Sequence, residues 1–216
     1  ETQALVALAK KSRKVLTESF MYLHHPQFNR VKRFVDESRE IKSIICRFGI
    51  PDLAVPGFRN NPELCGGALW DVASYTTSAL LALFPEQQVE VLFSEVVQNQ
   101  NSSVDSEGRA ILYFSSGVKA YLEWAIGVAY KNEIDLWSTE GSLFTDKIFS
   151  KPASYQSNYY LRDLNGSMHR EQGEVCEQFM EMFYHFVEMM DDKEKIAAER
   201  EAILRRAKLL DDIVSF

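Results

Sequence analysis

No apolar run in the 216 residues reaches the roughly 18 needed to cross a bilayer, and no basic stretch leads an apolar one at the N-terminus. A membrane is therefore not an expected partner. Cysteine is scarce. Cys46, Cys65 and Cys176 show no C-x-x-C spacing, and an odd number cannot all pair within one chain, so neither a disulfide framework nor a metal site is expected. A reducing, cytoplasmic setting fits that usage, in which the N-x-S sequons at Asn101 and Asn165 carry no glycan. Positive charge is short as well: 24 Lys and Arg against 31 Asp and Glu leave a net charge of −7, which argues against nucleic acid as a partner. Also missing is a G-x-G-x-x-G turn between a strand and a helix, the usual cradle for a dinucleotide pyrophosphate.

What is present reads as one sizeable soluble core. Residues 2–14 pattern as a helix with Leu5, Leu8 and Ala9 on one side and a basic end, followed by a short strand over 15–20. A helix feeding a strand with no glycine-rich turn before it suggests that residues 1–20 are the remnant of a preceding α/β unit, with 21–216 forming the main domain. Pro26 opens a helix to about Ser38, and 41–50 is a strand. Residues 51–63, with three prolines and paired asparagines, are loop. A helix is expected over 68–84.

From Val89 the period shortens to two, with Val89, Val91 and Phe93 alternating. Strands over 110–114 and 118–126 join through Ser115-Ser116-Gly117 as a hairpin, with Val118, Ala120, Leu122, Trp124 and Ile126 sharing a face. Strands at 134–137 and 143–149 follow, then a loop rich in aromatics, then two helices. Val175, Phe179, Met182, Phe183 and Phe186 are expected to face inward from the first, with Met189 and Met190 in the core, and Ile196, Ile203, Ala207, Leu210 and Val214 from the second. The class is α+β, with a mostly antiparallel open sheet and helices on one face. Tyr121, Ile111 and Tyr113 lie opposite the main stripe, so a homodimer through the open face is expected.

The stretch most informative for chemistry is Cys65-Gly66-Gly67-Ala68-Leu69-Trp70-Asp71-Val72-Ala73-Ser74-Tyr75. Glycines lead into a helix whose first turns carry Asp71 and Tyr75, four residues apart and so on one face, with Ser78 close by. A carboxylate and a phenol at this spacing can share a substrate hydroxyl, one orienting it and the other moving its proton. The same two residues could equally be a helix-dipole aspartate and a packed tyrosine.

Together with Glu18-Ser19-Phe20-Met21-Tyr22-Leu23-His24-His25-Pro26 and the meander that follows, this stretch resembles the Gfo/Idh/MocA family, named for glucose–fructose oxidoreductase and inositol dehydrogenase. The resemblance runs nearly from end to end. It implies the C-terminal domain of a two-domain Rossmann-type oxidoreductase, dimerised through its open sheet, with Asp71 and Tyr75 catalytic. The implied reaction moves a hydride between NAD or NADP and a sugar or polyol hydroxyl, with the cofactor held mainly by an upstream domain that also supplies a lysine. The chain departs from many relatives at Cys65 and Ala73, where they carry glycine, and at Leu23, where they carry arginine; Leu23 leaves the identity of the sugar open. The rival reading is a non-catalytic dimerisation or carbohydrate-binding module.

His24 and His25, at the junction before the first helix of the domain, and His169 and Arg170, after the aromatic loop, are further candidate substrate contacts beside Ser78. Adjacent side chains on an extended segment point apart, so at most one of His24 and His25 faces a cleft.

Overall fold

In a computed structural model of the chain, residues 1–55, 57–98 and 103–216 are described, so the sequon at Asn101 lies outside the described residues. The strands are β1 (Ile41–Ile50), β2 (Val89–Gln98), β3 (Asp105–Phe114), β4 (Lys119–Ile126), β5 (Lys131–Ser138), β6 (Gly141–Asp146), β7 (Gln156–Asp163) and β8 (Met168–Val175). The α-helices are α1 (Thr2–Ser12), α2 (Pro26–Glu37), α3 (Ser74–Leu83), α4 (Gln178–Met189) and α5 (Lys193–Ser215). Among the described residues the strands form a single open sheet in the order β2-β3-β4-β1-β5-β6-β7-β8. Every neighbouring pair is antiparallel except β1 and β4, which run parallel. The expected α+β class, with a mostly antiparallel open sheet, is what the chain adopts.

Alternation sets the two faces. Ala120, Leu122 and Trp124 of β4 pack inward beside Ile44, Cys46 and Phe48 of β1 and Ile134 and Leu136 of β5. Phe28 and Val31 of α2, Leu80 and Leu83 of α3, and Leu209 and Ile213 of α5 cover them. Each leucine, isoleucine, valine or phenylalanine among them, fully buried, contributes about 1.5–3 kcal/mol by leaving water. The opposite face keeps Tyr113 and Tyr121 exposed.

Several expectations are corrected. Residues 15–20 form no strand; they lie along α5, where Glu18 pairs with Arg206 and the Thr17 hydroxyl donates to Glu199. In α1 it is Val6 and Ala9 that are buried, while Leu5 and Leu8 stand exposed. Val91 and Phe93 do not share a face. A bulge between them pairs Val91 with buried Leu112 and Phe93 with Ile111 on the open side. The last strand of the meander stops at Asp146, where Lys147 turns to φ 49°. The aromatic loop proves to be β7 and β8, paired antiparallel at the far edge of the sheet.

The inward list for α4 also fails. Phe179, Phe183 and Met190 are exposed, and so is Val175, which belongs to β8; Met189 is buried. The α4 helix packs mainly on the turn Met21–His24, leaving its most apolar side free in this chain. In α5, Ile203 and Leu210 face the core as expected, whereas Val214 does not.

Candidate functional site

Two short 3-10 turns, Gly57–Asn60 and Pro62–Leu64, lead from the loop after β1 to the glycine pair. The Asn61 side chain accepts the Glu63 N–H at 2.9 Å and so caps the second turn, which opens on Pro62. Cys65 ends it in the left-handed region, φ 54° and ψ 41°. The Gly66 N–H then donates to the Asn61 carbonyl at 2.9 Å and the Gly67 N–H to the Arg59 carbonyl at 2.8 Å. A Cβ on Gly66 would sit 2.5 Å from the Arg59 carbonyl oxygen, and Gly67 has φ 110° with Asp105 against it. The pair is glycine because the chain folds back on itself here.

The helix does not start as a regular α-helix. Leu69–Ala73 is a π turn that runs directly into α3. Its cap comes from a distant strand: Asp105, buried at the start of β3, accepts the Leu69 N–H at 2.7 Å. Burial raises the Asp105 carboxyl pKa, and the backbone N–H groups aimed at it oppose that rise. Single π turns recur at functional sites, and this one carries Asp71.

Arg59 grips Asp71 with two prongs, Nε to Oδ2 at 2.5 Å and Nη2 to Oδ1 at 3.2 Å. The Arg59 guanidinium also lies over the Phe58 ring, 4.8 Å from its centroid. One turn on, Tyr75 is half-buried in an aromatic box. Its ring centroid is 5.3 Å from Phe48, 5.4 Å from Phe20 and 5.8 Å from Tyr22. Burial raises the phenol pKa, the Asp71 charge raises it further and the Arg59 charge lowers it. Tyr75 is thus held protonated at neutral pH and can donate to an oxygen that gains negative charge. Arg59 and Asp105 were missed in the sequence: their partners lie 12 and 36 positions away, separations that no periodic pattern reveals.

The other candidates are placed as follows. Ser78 does not open on a cleft; it is 1% exposed, with its hydroxyl 2.7 Å from the Tyr22 hydroxyl and 3.0 Å from the Tyr75 carbonyl. His25 is fully buried and caps α2, its Nδ1 accepting the Gln27 N–H at 2.9 Å. His24 stacks on His185 with centroids 4.6 Å apart. Burial lowers the pKa of each to about 4, helped by His185 for His24 and by the Lys151 charge for His25. His24 and His25 lie in a 3-10 turn and its cap rather than on a strand, so alternation does not govern where they point. His169 and Arg170 are on edge strand β8, not a loop, and Arg170 donates to Asn158 at 2.7 and 2.9 Å. The π turn packs on β3, β4 and β1, in the other half of the sheet, so these two are not brought to Asp71 and Tyr75.

A mostly antiparallel open sheet with helices on one face is shared with two-domain Rossmann-type oxidoreductases, and a solved structure of that class overlays on it. The GFO/IDH/MocA C-terminal domain matches residues 28–144, more than half of the chain, and the chain belongs to the Gfo/Idh/MocA family. A dTDP-3,4-didehydro-2,6-dideoxy-alpha-D-glucose 3-reductase from Actinomadura kijaniata is 29% identical over 217 residues, covering 99% of this chain and 64% of that protein. The reductase of the same name from Saccharopolyspora spinosa is 31% identical over 159 residues, covering 73% of this chain and 48% of that protein. KijD10, a 3-ketoreductase from Actinomadura kijaniata solved in complex with NADP and TDP-benzene, overlays with a TM-score of 0.91 at 28% identity, covering 99% of this chain and 66% of that one. The chain therefore spans less than two thirds of the length of these relatives.

Proposed function

We propose that the chain is the substrate-binding half of an oxidoreductase that moves a hydride between NADP, or NAD, and a sugar-like carbon, reducing a ketone or oxidising the matching hydroxyl. The observation that carries this reading is the Asp71 carboxylate beside a protonated, aromatic-boxed Tyr75 on a helix entered through Gly66-Gly67. The reductase relatives and the NADP and TDP-benzene bound to KijD10 support the substrate and cofactor classes.

The cofactor's pyrophosphate does not fit the glycine pair of this chain, because both N–H groups already bond to carbonyls. Its cradle belongs to the rest of the protein, with residues 1–20 as the end of that part. When bound, the nicotinamide supplies or accepts the hydride. Tyr75 donates its phenolic proton to the substrate oxygen during reduction and, as the phenolate, takes it back during oxidation, while Asp71, an acceptor only, holds a neighbouring substrate hydroxyl by accepting its hydrogen bond. The aromatic box limits water at the phenol.

The enzyme is proposed to be a cytoplasmic homodimer. Its open face carries a register of Phe93, Ile111, Tyr121, Ile45, Asp135, Phe144 and Tyr160, one residue from each of seven strands. A row of that extent, apolar but for Asp135, needs a cover, and an identical face is one. Cys46, Cys65 and Cys176 are all free thiols, in keeping with a reducing compartment. The test of function is a screen of the full-length protein with NADPH and NADH against TDP-linked keto sugars, free sugars and polyols. Saturable, cofactor-dependent turnover of one class is expected. A folded protein that turns over none of them contradicts the proposal.

A further inference from the structure

Asp71 is firmly held by a single partner. Its side chain is 15% exposed and that of Arg59 29%, and both carboxylate oxygens receive an N–H of the same guanidinium. Such a fork fixes orientation as well as position, which the rotating point charge of a lysine cannot do. Arg59 is itself anchored on two sides: its carbonyl accepts the Gly67 N–H and abuts Gly66, and its guanidinium lies on the Phe58 ring. The glycine pair that opens the helix is thereby the seat for the backbone of the residue that grips Asp71.

We propose that Arg59 is a positioning residue for the reaction, locking the Asp71 carboxylate in the orientation that lets it accept a hydrogen bond from a substrate hydroxyl beside the oxygen that Tyr75 protonates. The assignment rests on the reading of Asp71 and Tyr75 as the reacting pair. Arg59 acts through Asp71 and makes no contact with the substrate. An unclamped carboxylate four residues from Tyr75 can rotate and lose that hydroxyl; displacements of about 1 Å at such a group cost up to about a hundredfold in rate. The charge of Arg59 also opposes that of Asp71 at the phenol, so the pair presents Tyr75 with less net negative field than Asp71 alone.

The test uses the full-length protein and its own reaction, comparing Arg59→Ala, Arg59→Gln and Arg59→Lys with Asp71→Asn and with the Asp71→Asn/Arg59→Ala double variant. Circular dichroism checks that each is folded, and Arg59→Gln stands in if Arg59→Ala does not fold. Arg59→Ala or Arg59→Gln is expected to lower kcat by about 10- to 100-fold while KM stays within about threefold. Arg59→Lys recovers little, because it keeps the charge and loses the fork. Guanidinium ion added to Arg59→Ala restores part of the rate. In the Asp71→Asn background the loss of Arg59 costs no more than about twofold further, the non-additivity of two groups acting as one.

A loss confined to KM would put Arg59 on the substrate and overturn the proposal, as would losses that multiply in the double variant or a normal kcat in Arg59→Gln. If Asp71→Asn is impaired while the Arg59 variants are normal, only the positioning role falls. If Asp71→Asn is itself normal, the reading of the pair falls first, and the role of Arg59 with it.

Discussion

The Tyr22 hydroxyl lies 2.7 Å from the Ser78 hydroxyl and donates to the backbone carbonyl of Tyr75 at 3.1 Å. One buried phenol thus pins the turn Met21–His24 to the first turn of α3 and fixes the backbone from which Tyr75 projects. Burial pushes the Tyr22 phenol well above its ordinary pKa, so it stays a donor. Ser78 belongs to this pin and not to a substrate surface.

Cys65 occupies a left-handed backbone position, φ 54°, with an exposed side chain. A residue with a Cβ costs roughly 1–2 kcal/mol there, partly offset by the extra freedom glycine has when unfolded. Cys65→Gly is expected to stabilise the protein by about 1 kcal/mol, a rise of about 2–4 °C in Tm. Thermal denaturation checks it, and an unchanged or lowered Tm would count against the strain.

His24 and His25 hold pKa values of about 4 in the fold against 6.5 when free. The unfolded chain therefore binds more protons in that window, and stability present above pH 6.5 is lost as pH falls toward 4. Each histidine contributes a slope of up to about 1.4 kcal/mol per pH unit. Urea unfolding between pH 8 and 5 should show the decline beginning near pH 6.5, shallower in His24→Phe. A flat profile down to pH 5 would contradict the burial of both rings.

The sheet was largely legible in the sequence because a half-buried strand must alternate. Ala120, Leu122 and Trp124 declare the covered face of β4, and β1 has the expected bounds. Where burial does not alternate, the reading failed. Most of β8 is exposed on both faces, so Met168-His169-Arg170-Glu171 carried no period and read as loop. The bulge after Val91 breaks the period by one residue, which composition does not announce. The glycine pair and the four-residue spacing made a helix with Asp71 and Tyr75 on one face legible, while their reading as a reacting pair came from the family resemblance. Arg59 and Asp105 reach it through the folded chain and were not.

The open face predicts self-association. Light scattering on the 24.8 kDa chain at micromolar concentration should give twice the chain mass, and Tyr121→Lys, within the apolar run Phe93, Ile111, Tyr121 and Ile45, should shift it to monomer. A wild-type monomer would remove the dimer.

The engaged N–H groups of Gly66 and Gly67 predict that the 216-residue chain alone has no high-affinity nucleotide site. Calorimetry with NADP and NAD should detect no binding at micromolar levels. Low-micromolar affinity would mean that the cradle lies within this chain.

The most direct test of the account is the turnover of the full-length enzyme with Tyr75→Phe and Asp71→Asn, each measured beside its circular dichroism spectrum. Loss of the proton donor or of the group that orients its target should lower kcat by about 10²-fold or more with the fold unchanged. Near-normal turnover in both variants would contradict the assignment of this helix as the site of proton transfer.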